Sequence, residues 1–573
     1  MRSSPAPSSP SAAAVRLVLG VAAVAFGAAF LLAPPTTPVG LARVVGAGLL
    51  LSSFGRDLIG ATPRRHVTAT AWALVGLAGL AWPGITTRQL AVLVGLALVG
   101  GGLVDGIAGG RATSRSDDRL LAVLGGLTDV LFGVAALAWP TATVFVLVVV
   151  FGVRMILFGL RLIAYSLGRR PVDRRPWSRT TRVVGGLTAV AVAATAAIVA
   201  VAIASSGPPD PGPFYATPDP LAEAPGTVLR REVIPDFTPA GTAHRVLYTS
   251  RDLDGQSAAA SGIVVVPSGP EPPEGRPVLA FTHGTTGVAR NCAPSLLGPS
   301  YAPAMWGLEA FLDAGWIVTA PDYIGLGSEG IHAYLVGEAE AVSTLDAVRA
   351  AIAMAPGTST TFAVAGESQG GQAALFTGEY AAAYAPELDL VGVAAVAPAS
   401  DLRALFEANV GTTFGDILAA YALGAWSQVY DLDLDDVVDD RARPVVDRIA
   451  GLCITGERET ISLLPEAELL RLRFLTEVPW EAEPWSDLLE RNTPGQRPTG
   501  APILLVQGLD DPLVRPEVQR DFVARLCALG QVVEHREVAG VGHLGAGHAV
   551  EDAVATWLAS RREGTDPDTD SCR

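Results

Sequence analysis

Residues 361–376 read TFAVAGESQGGQAALF, where a run of small and apolar residues meets a G-x-S-x-G pentapeptide and continues into an alanine-rich stretch. The first six residues are typical of a buried strand, and the residues from Gly370 onward favour a helix. A serine on a tight turn between a strand and a helix is the setting of a nucleophile elbow. There the hydroxyl lies above the sheet, near the positive end of the helix dipole. We therefore interpret Ser368 as a nucleophile; the alternative is an ordinary polar residue in a glycine-rich loop.

The fold around this stretch follows from short apolar runs that alternate with helical ones. Strands are predicted at 244–250, 259–267, 277–283, 316–323, 361–366, 390–398, 501–508 and 532–538, and helices at 337–355, 370–384, 515–529 and 548–562. This alternation indicates a mainly parallel sheet covered on both faces. Roughly a hundred residues separate strands 390–398 and 501–508, far more than a direct crossover needs. We predict a helical cap at about 401–490, in which Phe414 and Trp426 either line a substrate pocket or pack in the core.

A serine nucleophile needs a base, and the base needs an acid that orients it, in the chain order serine, acid, histidine. Asp511 follows a predicted strand in ILLVQGLDDPLV, and His543 follows the last predicted strand in REVAGVGHLGAGH. Both positions belong to the sheet edge where Ser368 lies, so we predict a catalytic triad of Ser368, His543 and Asp511. The alternative for His543 is a structural loop histidine. Less favoured candidates for the acid and the base are Asp510, Asp401 and His548.

The segment FTHGTTG at 281–287 follows another predicted strand. A glycine-rich turn in this place can aim backbone N–H groups at an oxygen that becomes negatively charged during acyl transfer. We assign the backbone N–H groups of Thr285 and Gln369 to this oxyanion hole. His283 is expected to support the loop and not to act as the base.

Residues 214–560 resemble the secretory lipase family of α/β-hydrolases. The stretches that carry the resemblance are FYATPDPLAEAPGTVLRRE, HGTTGVARNCAPS, APDYIGLG, GESQGGQAALF, GLDDPLV and GVGHLGAG. The resemblance implies a serine esterase or lipase that hydrolyses carboxylic (acyl) esters, a reaction that needs no metal and no cofactor. It also suggests a disulfide between Cys292 and Cys453 that ties down the cap. Acyltransferase, thioesterase and peptidase activities remain alternatives on the same triad.

The first 206 of the 573 residues differ from the rest in charge and composition. They carry 18 Arg and six Asp, a net charge of +12 in a chain whose total is −16, which leaves −28 for the remainder. Apolar stretches, each about long enough to cross a bilayer as a helix, lie at 13–33, 39–61, 67–83, 89–109, 119–139, 142–166 and 182–205. We predict an all-α polytopic membrane domain of about seven helices over residues 1–206.

Three segments of this half repeat one pattern, in which an apolar helix is followed by a turn with proline and a glycine-rich returning helix. The segments begin FLLAPPTTPVG, GLAWPGITTRQ and ALAWPTATVFV. Glycine allows helices to approach closely in lipid. The pattern, over about residues 13–167, resembles the HdeD-like family of short-repeat membrane proteins, which implies an association with stress responses and no settled chemistry.

Arginines concentrate in the loops after the second, fourth and sixth apolar stretches. Because basic loops stay in the cytoplasm, the N-terminus is predicted to be cytoplasmic, and everything after Ser206 extracytoplasmic, at the plasma membrane. We expect an extracytoplasmic linker at 207–226, a hydrolase domain at 227–562 and a disordered tail at 563–573. The negative charge of this part argues against a nucleic-acid partner. An acyl ester or lipid as the substrate is what the resemblance to secretory lipases implies. A membrane stress or transport module with a non-catalytic outer domain remains a different class of function.

Overall fold

The structure is a computed structural model that describes residues 87–111, 116–138, 179–204, 208–565 and 570–573, except 456 and 472, together with positions 17, 21, 24, 77, 156 and 163. The chain divides into two compact units, Met1–Ser206 and Gly207–Arg573. The predicted membrane spans at 13–33, 39–61, 67–83 and 142–166 lie outside the described residues, apart from those single positions.

In the first unit the described helices are α1 (Thr87–Arg111), α2 (Ser116–Ala138) and α3 (Arg179–Ala204). They cover the predicted spans at 89–109, 119–139 and 182–205. Among the described helices, one apolar segment, Arg119–Ala138, is long enough to cross a bilayer, and the apolar parts of α1 and α3 are shorter. A domain of seven membrane helices therefore stays a prediction.

Two glycines allow α1 and α2 to pack closely. A Cβ atom on Gly102 would lie 2.5 Å from the carbonyl oxygen of Gly126, and a Cβ atom on Gly126 would lie 2.4 Å from the carbonyl oxygen of Gly102. Since both distances are far below a van der Waals contact, a larger residue at either position would force the two backbones apart. Such small residues are frequent where membrane helices pack against each other.

A mixed sheet forms the frame of the second unit. Its strands are β1 (Val228–Ile234), β2 (Gly241–Arg251), β3 (Ser257–Pro267), β4 (Arg276–Thr282), β5 (Ile317–Pro321), β6 (Thr358–Glu367), β7 (Asp389–Val396), β8 (Ile503–Gly508) and β9 (Val533–Val538). Their spatial order is β1-β2-β3-β5-β4-β6-β7-β8-β9. The pairs from β1 to β3 and the β3–β5 pair are antiparallel, and all pairs among β4 to β9 are parallel. The predicted, mainly parallel sheet is confirmed.

Helices cover both faces of this sheet. Outside the cap they are α4 (Leu308–Asp313), α5 (Gly337–Met354), α6 (Gln369–Tyr384), α12 (Pro516–Ala528) and α13 (Ala546–Arg562). One buried cluster joins α4 and α13 to one face, with Phe311, Val318 and Val554 among its members. A second cluster joins α5, α6 and α12 to the opposite face around Ile317 and Phe522. Neighbours Ile317 and Val318 belong to different clusters because side chains alternate across a strand.

The described residues between β7 and β8 form a helical layer with its own core. Its helices are α7 (Leu402–Asn409), α8 (Thr413–Val429), α9 (Arg443–Ala450), α10 (Glu457–Leu470) and α11 (Trp485–Arg491). Trp426 lies in the core of this layer and donates its Nε1–H to the Tyr334 carbonyl at 2.8 Å. Phe414 is exposed. Of the two residues considered for a substrate pocket, Trp426 therefore packs in the core.

Two elements differ from the expectations of the sequence. Strand β1, read as VLRREVI, has consecutive charged residues where alternation would be expected, so its pattern does not indicate a strand. It forms at the edge of the sheet through its pairing with β2. In the stretch with predicted disorder, residues 570–573 lie along the opposite edge: Cys572 is disulfide-bonded to Cys527, and Ser571 N–H donates to the Val533 carbonyl at 2.7 Å.

Candidate active site

Ser368 lies on the turn between β6 and α6, at the carboxyl edge of the parallel strands. Its backbone has φ 59° and ψ −121°, a conformation that is strained for a residue with a side chain. The Ser368 N–H donates to the Val396 carbonyl at 3.0 Å, and the Ser368 carbonyl accepts from the N–H of Gln372 and Ala399 at 3.1 and 3.2 Å. These backbone bonds hold the strained turn in place.

The glycines on either side of this turn allow β4 to approach it. A Cβ atom on Gly370 would lie 2.0 Å from the Thr282 carbonyl oxygen, and one on Gly366 would lie 2.1 Å from Thr282 Oγ1. Thr282 Oγ1–H also donates to the Gly370 carbonyl at 2.7 Å. The first and last residues of the G-x-S-x-G pattern are therefore glycines because no side chain fits beside β4.

His543 connects the serine to an acid. Its Nε2 lies 2.9 Å from Ser368 Oγ, and its Nδ1 lies 2.8 Å from Asp511 Oδ2. A carboxylate oxygen can only accept, so Nδ1–H donates to Asp511 and leaves Nε2 free to accept the serine proton. The loops after β6, β8 and β9 supply the three side chains, as expected for one edge of a parallel sheet. His543 is thus hydrogen-bonded to both of its predicted partners.

Asp511 is buried and accepts hydrogen bonds at both carboxylate oxygens. Oδ1 accepts from the backbone N–H groups of Leu513 and Val514, each at 2.9 Å. Oδ2 accepts from Gln507 Nε2 at 3.2 Å in addition to His543. This set of donors fixes the orientation of the carboxylate toward the histidine.

The less favoured candidates have other surroundings. The side chain of Asp401 caps the start of α7, where it accepts from Ala404 N–H at 3.0 Å. Asp510 is exposed. His548 is also exposed, and its Nδ1 lies 3.2 Å from Glu551 Oε2.

The candidate oxyanion donors lie on two segments that meet beside Ser368. Gln369 is the first residue of α6, so its N–H belongs to the first-turn groups that have no acceptor within the helix. Thr285 follows β4, and its Oγ1 lies 2.8 Å from the hydroxyl of Tyr334. A Cβ atom on Gly284, the residue before Thr285, would lie 4.0 Å from Ser368 Cβ, so this loop passes beside the serine.

His283 is buried below this loop. Its Nδ1–H donates to the Gly284 carbonyl at 2.7 Å, and its ring lies 4.6 Å from the ring of Tyr323. Burial lowers the pKa of His283 to about 4, so the ring is neutral at physiological pH. These contacts are those of a residue that supports the loop.

Glu340 is a buried acid that the sequence motifs do not indicate. It lies in the first turn of α5, and its Oε1 accepts from Gln369 Nε2 at 2.7 Å and from Leu335 N–H at 3.1 Å. Burial raises the pKa of Glu340 to about 8. Gln507 and Tyr334 are further contacts of site residues that the motifs miss, since a polar residue inside a strand or loop has no recognisable spacing.

A disulfide joins Cys292 to Cys453, with the two Cα atoms 5.3 Å apart. Next to it, Gly287 forms a β-bridge with Cys453, and Ile454 N–H donates to the Thr286 carbonyl at 2.8 Å. The loop that carries Thr285 is therefore bonded to the cap both covalently and through its backbone.

Across the described ranges, no three His, Cys, Asp or Glu side chains come together as metal ligands. Ser368, His543 and Asp511 have the hydrogen-bonded arrangement of a Ser-His-Asp acyl-transfer site.

Residues 302–570 match the secretory lipase family. Residues 67–136 and 124–198 match the short repeat of unknown function DUF308, which is the HdeD-like family. Both resemblances that the sequence motifs indicated are confirmed. The two matches lie in different units of the chain.

Curated relatives match part of the chain. A protein named "Probable inactive lipase" from Mycobacterium tuberculosis is 30% identical over 230 residues, which are 37% of this chain and 50% of that protein. Lipase A of Arthroderma benhamiae is 33% identical over 239 residues, which are 37% of this chain and 49% of that protein. The chain thus spans about half the length of the curated relatives it matches.

The X-ray structure of Candida antarctica lipase A in its closed state is similar to this chain with a TM-score of 0.53 and 20% identity. The similarity covers 64% of this chain and 89% of that one. At this identity the likeness concerns the fold alone. The second unit therefore has a lipase-like α/β-hydrolase fold.

Proposed function

We propose that this protein is a serine carboxylic ester hydrolase, a lipase or esterase, that acts through Ser368, His543 and Asp511. The observation that carries the proposal is the pair of hydrogen bonds on the His543 ring, 2.9 Å to Ser368 Oγ and 2.8 Å to Asp511 Oδ2. The match of residues 302–570 to the secretory lipase family supports the same chemistry.

In the acylation step, Ser368 Oγ attacks the carbonyl carbon of the ester while His543 Nε2 accepts the hydroxyl proton. Asp511 holds the ring in the tautomer that leaves Nε2 free and stabilises the positive charge that forms on it. The backbone N–H groups of Gln369 and Thr285 stabilise the tetrahedral oxyanion, and one such donor is typically worth about 3 kcal/mol. The alcohol leaves with the proton from His543.

In the deacylation step, water takes the place of the alcohol. His543 removes a proton from the water, the water oxygen attacks the acyl carbon, and Ser368 departs with the proton from His543. The same oxyanion donors act again, because the second tetrahedral intermediate carries its charge in the same place. An acyl acceptor other than water would make the protein an acyltransferase.

The proposed substrate is an acyl ester or a lipid, and the proposed location is outside the plasma membrane. The disulfides Cys292–Cys453 and Cys527–Cys572 support an oxidising compartment. The DUF308 match supports membrane association of the first unit, and so do its exposed apolar side chains, such as Leu96 and Ile198. We propose that a polytopic N-terminal domain with its N-terminus in the cytoplasm anchors the hydrolase there.

A non-catalytic outer domain is the second candidate, and the name of the Mycobacterium tuberculosis relative favours it. In that case the membrane unit would be the working part of the protein. The backbone strain at Ser368 and the buried donor set of Asp511 argue for the enzyme, because strain of this kind persists where a function needs it.

The test is hydrolysis of p-nitrophenyl butyrate by the full-length protein and its Ser368→Ala variant in detergent micelles. We expect the substitution to lower kcat by about 10⁴-fold or more, while Ser400→Ala, at a buried serine close to the turn, keeps wild-type activity. Hydrolysis that survives in Ser368→Ala would refute the proposal.

Parallel assays with thioesters, aminoacyl amides and esters of increasing chain length separate the alternative acyl-transfer activities. A comparison of intact with lysed cells tests the location, because an outward-facing hydrolase acts on added ester without lysis. Activity that appears only after lysis would place the domain inside the cell.

A further inference from the structure

Glu340 contacts the turn that carries Ser368 through the side chain of Gln369. Its carboxyl group is almost completely buried, and its Oε1 accepts from the side-chain Nε2–H of Gln369 at 2.7 Å. Gln369 directly follows Ser368, and its backbone N–H is a candidate oxyanion donor. The contact therefore joins a buried acid to a residue that the proposed reaction needs in one fixed position.

Two oxygen atoms of this pair lack a partner. Glu340 Oε2 and Gln369 Oε1 are both buried, and neither has a hydrogen-bond partner among the described residues. A buried acceptor without a donor destabilises the folded state. Protonation of Glu340 would satisfy both oxygen atoms with one hydrogen bond. A protonated Oε2 is a donor, and Gln369 Oε1 can accept from it.

We propose that Glu340 is a positioning residue whose neutral carboxyl group forms a doubly hydrogen-bonded pair with the Gln369 side chain and so fixes the oxyanion turn. Gln369 Nε2–H donates to Glu340 Oε1, and Glu340 Oε2–H donates to Gln369 Oε1. The inference rests on the proposed function, since it assigns Glu340 a role in stabilising the transition state of that reaction.

The surroundings of Glu340 favour the neutral form. Burial raises its pKa from the ordinary value of 4.5 to about 8, against the lowering effect of its hydrogen bonds from Gln369 and Leu335. The titratable groups that face it are the hydroxyls of Tyr323 and Tyr334, whose pKa values a negative Glu340 would raise. The carboxyl group therefore keeps its proton at neutral pH and loses it under alkaline conditions.

The first turn of α5 and the segment before it contact both residues that carry the candidate oxyanion donors. Glu340, in the first turn, accepts from the Gln369 side chain, and the hydroxyl of Tyr334, in the segment before it, lies 2.8 Å from Thr285 Oγ1. Leu335 adopts a left-handed backbone with φ 57°, and Gln372 Nε2–H donates to its carbonyl at 3.3 Å. A strained segment that is held by several hydrogen bonds can fix the positions of the two N–H donors relative to each other.

The experiment measures kcat and KM of the full-length protein for p-nitrophenyl butyrate between pH 6 and pH 9.5, with the Ser368→Ala variant as the blank. We expect wild-type kcat to decline as the pH rises through the pKa of Glu340. In Glu340→Gln the neutral amide can make both bonds, so kcat at pH 7 stays within about threefold of wild type and the alkaline decline disappears.

Glu340→Ala removes both bonds, and we expect kcat to fall by about tenfold or more with KM changed less than about twofold. Titration of active sites with a fluorophosphonate corrects for any misfolded fraction. Glu379 is the matched control: it is a buried acid on α6, burial raises its pKa to about 7, and it bonds to Gly495 N–H away from Ser368. Glu379→Gln should follow the wild-type pH profile.

Infrared spectroscopy gives a readout that does not depend on activity. A difference spectrum between wild type and Glu340→Gln at pH 6 should contain the carbonyl band of a protonated carboxylic acid, and the band should vanish above the pKa. Absence of this band at pH 6 would overturn the neutral pair.

If wild type shows no ester hydrolysis at all, the proposed function fails together with this role. Normal hydrolysis with unchanged kcat in Glu340→Ala, or an alkaline decline retained in Glu340→Gln, would refute the role of Glu340 alone.

Discussion

At residue 370 the backbone of a neighbouring strand occupies the space of a side chain. The turn around Ser368 is held between the Thr282 carbonyl and the end of β7, and its strained φ is kept by backbone bonds on both sides. The position of the serine oxygen relative to His543 thus depends on a packing contact that contains no catalytic group.

We predict that Gly370→Ala lowers kcat by about 100-fold, because a shift of the turn of about 1 Å is enough for a loss of that size. Overpacking should also lower the free energy of unfolding by about 1–3 kcal/mol. Thermal unfolding and p-nitrophenyl butyrate kinetics of the full-length protein measure both effects. Gly212→Ala is the control, since a Cβ atom there meets nothing within 4 Å. Equal kcat in the two variants would contradict this explanation.

Among the elements, the loop after β4 and the cap form one bonded assembly. The Cys292–Cys453 disulfide lies beside the bridge from Gly287 and the hydrogen bond from Ile454 to Thr286, one residue after Thr285. The second disulfide, Cys527–Cys572, joins α12 to the C-terminal residues that lie along β9. Cys292–Cys453 therefore lies beside the loop of a candidate oxyanion donor, and Cys527–Cys572 can serve as its control.

We predict that the double variant Cys292→Ser/Cys453→Ser loses about tenfold in kcat because Thr285 N–H moves away from the oxyanion position. Cys527→Ser/Cys572→Ser should keep kcat, although each double variant should lose about 2–5 kcal/mol of stability. Kinetics at a temperature where all proteins remain folded, corrected by active-site titration, measure the difference. The same kcat in both variants would show that the disulfide acts on stability alone.

Sites that follow from the order of strands, turns and helices along the chain could be predicted from the sequence. Contacts between polar residues that depend on how the elements pack could not. Strand–turn–helix spacing around Ser368 and the positions of Asp511 and His543 after strands predict one sheet edge, because the carboxyl ends of parallel strands meet there. Glu340 and Gln507 have no such signal: their partners are 29 and four residues away and depend on how α5 and β8 pack. Strand β1 was missed because pairing at the sheet edge outweighs its charged sequence.

On the scale of the whole molecule, the two units of the chain match two different families. The arginine-rich first unit matches a short-repeat family of unknown function, and the acidic second unit matches a secretory lipase family and contains both disulfides. This division, with the change of charge and cysteine content near residue 206, fits the proposal of an outward-facing hydrolase on a membrane anchor. The proposed function depends on whether Ser368 is activated as a nucleophile.

The most direct test of that activation is reaction of the full-length protein with a fluorophosphonate, followed by mass spectrometry of the tryptic peptides. The probe modifies a serine only where a neighbouring base makes it nucleophilic. We predict a single adduct on Ser368 in the wild-type protein and loss of at least about 99% of the labelling rate in His543→Ala. An unmodified Ser368, or labelling that proceeds equally well without His543, would contradict the account.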